Sequence, residues 1–191
     1  VEEEIEFYAQ LCQDLISRNM TPFITLHHFS NPIWLEEMGG WLNPETIDYF
    51  IAFVAKVVEA MKDYTNLWCT INEPNVYATQ AYLFGEFPPG HYSLLDTLKV
   101  MEHLALAHGG AYKTIHKIQP EARVGMAVQV RGFEAANKFN PIDRLLANFM
   151  HRSFNEFHIE AAHSGQLNLI FTRKFYPELA NTQDWIGLQY Y

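Results

Sequence analysis

Polar side chains end several short apolar runs in this chain: His27-His28, Asn72-Glu73, and Gln189 with Tyr190 and Tyr191. Glu73 carries the most chemistry. In Thr70-Ile-Asn-Glu-Pro74 a carboxylate sits beside an amide at the end of an apolar run, where burial without a purpose is expensive. Loss of water there favours the protonated carboxyl, the form a general acid needs near neutral pH. Read alone, Asn-Glu-Pro also fits a glutamate that caps the next helix or pairs with an arginine. His27-His28 alone fits structural histidines or metal ligands, but no Cys or carboxylate stands beside them at ligand spacing. Glu86 and Glu134 lack any supporting motif and read as solvated loop charges.

Positioning these groups requires strands. Thr21–Phe29, with Pro22 near its start, reads as a strand buried on both faces. Leu67–Glu73, Ala122–Val130 and Asp184–Tyr191 are the others. Between them lie helical patterns. Ile5, Tyr8, Cys12, Leu15 and Ile16 share one face. Asn43-Pro44 starts a second helix through Ile47, Phe50, Val54, Val57 and Met61. Ser93 with Asp96 resembles a capping box for a third, through Leu98, Met101, Ala105, Tyr112 and Ile115. The last begins after Asn140-Pro141 and runs to about His163, with Gly165 to end it.

Helix then strand, four times over, with nearly continuous apolar strands, calls for parallel strands covered by helices. Four such strands fit an open sheet or half of an eight-stranded barrel. The polar residues favour the barrel, because they gather at the C-terminal strand ends where barrel enzymes keep their catalytic groups. Val1 opens directly into a helical pattern and Tyr191 stops at a strand end. Both ends therefore read as cuts, and residues 1–191 as one domain fragment.

Composition removes other classes. The hydrophobic share of 49% is that of a folded protein. A net charge of -9 argues against nucleic-acid binding, which needs clustered Lys and Arg. No apolar run reaches the roughly 20 residues of a membrane helix, and the Val-Glu-Glu-Glu start is no basic leader, so a soluble, cytoplasmic protein is expected. Cys12 and Cys69 are too few for a disulfide framework and read as buried free thiols.

Thr25-Leu-His-His-Phe29, Gly39-Gly-Trp41 and Thr70-Ile-Asn-Glu-Pro74, in this order and spacing, resemble the third- and fourth-strand motifs of family 1 β-glycosidases. Gly85 with Pro88-Pro-Gly90, Ala105–Tyr112 and Asp184–Tyr191 extend the resemblance over essentially the whole chain. It implies a partial (βα)8 barrel, third to sixth strands, from a β-glucosidase-like enzyme acting on small β-glycosides or oligosaccharides without metal or cofactor. By position, Glu73 is implied as the acid/base of a retaining double displacement and Asn72 as a partner of the sugar 2-hydroxyl. His28 is implied to bind the 3-hydroxyl, and Tyr191 to orient the nucleophilic carboxylate.

The chain departs from the pattern in two places. Gln189 stands where the family commonly has Asn, which puts a contact there in doubt. The nucleophile belongs to a Thr-Glu-Asn-Gly motif on the seventh strand, beyond the sequence, as are the first, second and eighth strands. The chain alone is thus expected to be inactive and to associate through open sheet edges. Two alternatives remain at this point: a silent carbohydrate-binding half-barrel, and a related barrel endo-glycanase, which the Gly39-Gly-Trp41 spacing disfavours.

Overall fold

The computed structural model describes residues 2–169 and 172–191. The β-branched and aromatic runs form strands, and the 3.6-periodic segments form helices around them. In chain order the elements are α1 (Glu2–Ser17), β1 (Ile24–His27), α2 (Ile33–Glu37), α3 (Glu45–Met61), β2 (Leu67–Asn72), α4 (Pro74–Ala78), α5 (Leu94–Ile118), β3 (Arg123–Gln129), α6 (Pro141–His151), α7 (Phe157–Ser164), β4 (Gln166–Asn168), β5 (Arg173–Phe175) and β6 (Trp185–Gln189). Among the described residues β1, β2, β3 and β6 form one sheet in that order, every pair parallel. β4 and β5 make a small antiparallel hairpin that the sequence did not suggest. On β5 the Lys174 ammonium reaches both carboxylate oxygens of Glu102 on α5, at 2.8 and 2.6 Å.

Helix ends follow local chemistry. Asn43 accepts from the Glu45 N–H, and Asn140 from Ile142 with Pro141 at the first helical position. Ser93 accepts from the Asp96 N–H at 3.2 Å, half of the expected capping box. The other half is missing because the Asp96 carboxylate turns to His91, 3.1 Å away. Gly165 closes α7 at φ 76°, where any β-carbon would strike the Tyr176 carbonyl. The expected single helix up to His163 is divided: one wide turn, Arg152–Glu156, separates α6 from α7. That turn carries buried Asn155, whose amide bonds the Arg131 backbone in both directions, at 3.0 and 2.8 Å.

α3 and α5 cover one face of the sheet. Phe50, Val54 and Val58 of α3 meet Val100, Leu104 and Ile115 of α5 and Trp68 of β2 in one core. Each fully buried side chain of this size contributes roughly 1.5–3 kcal/mol relative to exposure. The apolar face expected on α1 is only partly covered. Cys12 is buried, but Tyr8 and Ile16 are exposed, because α1 packs mainly along α3.

The opposite, inner face of the sheet carries the alternate residues. Ile186 packs outward with Met126, Val128 and Ala162, so Trp185, Gly187 and Gln189 take the inner side by alternation. There the Trp185 ring meets Phe23 edge-on at 5.0 Å and lies against Gly125, where a side chain would collide with it. The expectation that β1 is buried on both faces is corrected, and β6 is also partly open. Thr25 is exposed, Phe23 is 54% exposed and Leu188 64%. β1 and β6 end the strand order, and among the described residues no strand covers their free sides. Cys12 and Cys69 are free and buried. No helix among the described residues is long and apolar enough to cross a membrane.

Candidate active site

The site forms at the C-terminal end of β2, and a register irregularity aims it. Trp68 and Thr70 bond outward, the Trp68 indole to Gln119, just past the end of α5, at 2.9 Å and the Thr70 hydroxyl to His108 of α5 at 2.7 Å. Strict alternation would send Asn72 the same way. Between Cys69 and Asn72, however, the pairing with β3 slips by one residue, from Cys69↔Gly125 to Asn72↔Ala127. This extra residue turns Asn72 to the inner face, as bulges beside functional sites commonly do. The Asn72 amide there contacts His28 Nε2 at 3.2 Å, and its carbonyl accepts from Gln189 Nε2 at 3.2 Å.

Glu73 comes next at φ 45° and ψ 57°, a left-handed conformation uncommon for a side-chain-bearing residue. Its N–H donates to Ala127 O at 2.7 Å, and its carbonyl accepts from Tyr77 N at 3.0 Å, opening α4. The side chain is 5% exposed, and Oε1 accepts from the Tyr191 hydroxyl at 3.0 Å. That hydrogen bond raises the Tyr191 phenol above its ordinary range. Tyr191 also reaches Gln189 Oε1 at 3.4 Å. One hydrogen-bonded chain thus runs from His28 through Asn72 and Gln189 to Tyr191 and Glu73. It joins three strand ends, those of β1, β2 and β6. Gln189, with a side chain one carbon longer than Asn, reaches Asn72.

The two adjacent histidines separate. His28 is exposed beside Asn72, whereas His27 is buried, edge-on to Trp41 at 5.3 Å and to Tyr77 at 5.4 Å. Burial pushes His27 down to about 4, against the opposing hydrogen bond with Asn31. His27 is therefore a neutral wall of the site. Asn31 organises that wall: its amide donates to Glu36 at 2.6 Å and to Tyr77 at 2.8 Å, and it accepts from Trp41 at 3.2 Å. The Gly39-Gly-Trp41 motif supplies this packing; Trp41 is 1% exposed.

Two residues escaped the sequence reading. Asn75 is almost wholly buried and bonds the backbone at the end of β3. Asp184, at the opposite end of the sheet, takes hydrogen bonds from Val124 N–H at 2.8 Å, Tyr112 at 2.8 Å and His116 at 3.0 Å. Its signal was an acid opening an apolar strand, and its place is structural. Glu86 and Glu134 are exposed loop residues. Among the described residues no group of three His, Cys, Asp or Glu is placed to hold a metal ion.

A buried carboxyl flanked by an amide, an imidazole and a phenol suits proton transfer to a hydroxyl-rich ligand. Comparison with known proteins points the same way. The model of Glycosyl hydrolase family 1 matches residues 1–191. The 1,4-beta-D-glucan glucohydrolase of Thermotoga neapolitana is 29% identical over 98% of this chain and 47% of its own length. The beta-glycosidase from Pyrococcus horikoshii superposes with a TM-score of 0.91 at 30% identity, over 100% of this chain and 43% of that one. The beta-glucosidase from Thermotoga maritima, solved in complex with deoxynojirimycin, gives 0.91 at 27% identity over 99% and 45%. This chain thus spans just under half the length of these relatives, and its fold is the corresponding part of their α/β barrel.

Proposed function

Because the chain belongs to glycosyl hydrolase family 1, we propose that it is the segment of a retaining β-glycosidase that supplies the general acid/base, Glu73. The observation that carries this reading is the buried Glu73 carboxyl at the end of β2, held by Tyr191 beside Asn72 and His28. In the proposed reaction Glu73 protonates the leaving glycosidic oxygen while a carboxylate from the rest of the barrel attacks the anomeric carbon. Glu73 then takes a proton from the water that releases the sugar. Asn72 and His28 bind the 2- and 3-hydroxyls, and Tyr191 orients the attacking carboxylate as well as Glu73. Small β-glycosides are the substrates, in keeping with the beta-glucosidase name of the Thermotoga maritima relative. A reducing compartment, the cytoplasm, suits the two buried free thiols.

The test is stereochemical. Proton NMR of the full-length enzyme with an aryl β-glucoside should show the β-anomer of the sugar appearing first. First appearance of the α-anomer would mean single displacement and would remove the double-displacement reading.

Isolated, residues 1–191 are expected to be inactive and to self-associate. β1 and β6 present unpaired backbone beside exposed Phe23 and Leu188, the arrangement that pairs with further strands. Light scattering combined with aryl β-glucoside hydrolysis checks both. A monomer turning over at about 1–10³ s⁻¹ would place the nucleophile within this chain.

His28→Ala in the full-length enzyme should lower kcat/KM by about 1–3 kcal/mol, on the order of ten- to a hundredfold, through loss of one sugar contact. Its melting temperature should move little, since His28 is exposed. Collapse of the melting temperature with intact activity per folded molecule would make His28 a packing residue instead.

A further inference from the structure

The Glu73 backbone sits in the left-handed region, a conformation that persists only where its surroundings hold it. Pro74 has no N–H to contribute, and no side chain caps α4. The next residue in the chain is Asn75, 1% exposed. Its Nδ2 donates to Gln129 O at 2.8 Å and to Phe154 O at 3.0 Å, while its Oδ1 accepts from Gln129 N at 3.4 Å. The amide therefore engages both backbone groups of Gln129 much as another strand residue would. It extends the β2–β3 pairing past the point where β2 ends. Through Phe154 it also ties the turn to the wide helical turn between α6 and α7. On the other side of Glu73, the N–H to Ala127 O bond closes the same ladder.

We propose that Asn75 is a positioning residue for Glu73: its side-chain amide, docked on the β3 backbone, fixes the left-handed turn that sets the carboxyl against the leaving-group oxygen. This rests on the reading of Glu73 as acid/base. Asn75 touches no substrate and acts only through the turn. Replacing its NH₂ by oxygen sets a carboxylate against two carbonyl oxygens, which repels the turn from β3 while keeping the side-chain size. A carboxyl displaced by about 1 Å loses on the order of a hundredfold in proton transfer.

The experiment compares Asn75→Asp with wild type in the full-length enzyme, on alkyl β-glucosides and on activated nitrophenyl β-glucosides. The expected result is a loss of kcat/KM, which reports the glycosylation step, roughly ten- to a hundredfold larger on the alkyl than on the activated substrates. Equal losses on both classes would overturn the proposal. Glu73→Gln runs alongside. If it shows no leaving-group dependence, the acid/base reading itself falls; if it does and Asn75→Asp does not, only the positioning role falls. Asn75→Ser, whose hydroxyl reaches one carbonyl at most, carries the same comparison should Asn75→Asp not fold. Failure of both variants to fold would make Asn75 a purely structural residue and overturn the proposal.

Discussion

Glu73→Gln in the full-length enzyme is expected to slow hydrolysis of β-glycosides with poor leaving groups by roughly 10²–10⁴-fold, the usual worth of general acid catalysis. Activated aryl glycosides should lose far less in the glycosylation step, because a stable phenolate departs with little protonation. The substitution is nearly isosteric. Its amide oxygen still accepts from Tyr191, the backbone bonds of residue 73 to Ala127 and Tyr77 are untouched, and Asn75 still anchors the turn. Folding is therefore preserved while the transferable proton is removed. The measurement is kcat/KM across a series of aryl and alkyl β-glucosides graded by leaving-group acidity. A steep dependence that wild type lacks is the expected signature. Equal losses along the series would assign Glu73 to binding or to the fold.

The main lines of this arrangement were legible because they are written in local patterns. Apolar runs ending in His-His, Asn-Glu and Gln-Tyr-Tyr mark strand C-termini, and Ser93, Asn140 and Gly165 mark helix ends through short-range hydrogen bonds or a required left-handed turn. What stayed hidden depends on partners distant in sequence. The bulge at Cys69–Asn72 inserts one residue and leaves no trace in composition, yet it decides which way Asn72 faces. Asn75 drew no notice, because its partners are main-chain groups of Gln129 and Phe154. The β4–β5 hairpin has strands of three residues each, too short to show a period of two, and is anchored through Lys174 on Glu102 of α5. His27 and His28 are chemically identical in sequence. Only the packing of Trp41 and Tyr77 makes one a buried wall and leaves the other open beside Asn72.

Acid should destabilise the full-length protein well before its carboxylates titrate. Burial pushes His27 and His108 down to about 4 and His158 to about 3, with His108 as a second influence on His158. Once unfolded, each would take up a proton near the ordinary 6.5. Between those values the unfolded chain binds more protons than the folded one, so stability rises with pH through this window. The contribution is complete above about pH 6.5 and is progressively lost as pH falls toward 4. At pH 5 the deficit is on the order of 2 kcal/mol for each histidine, at 1.36 kcal/mol per pH unit. Asp184 works in a lower window. Burial alone would raise it, but the hydrogen bonds from Val124, Tyr112 and His116 hold it below its ordinary 3.8, so its share of stability is lost only as pH falls below about 4. Urea unfolding at pH 7 and pH 5 separates the two windows: the midpoint should drop clearly at pH 5, and His158→Leu should flatten that drop by removing one of the three groups. A wild-type midpoint equal at both pH values would mean that these imidazoles accept protons inside the fold, and that the packing of α5 and α7 against the sheet is looser than the burial of His108 and His158 implies.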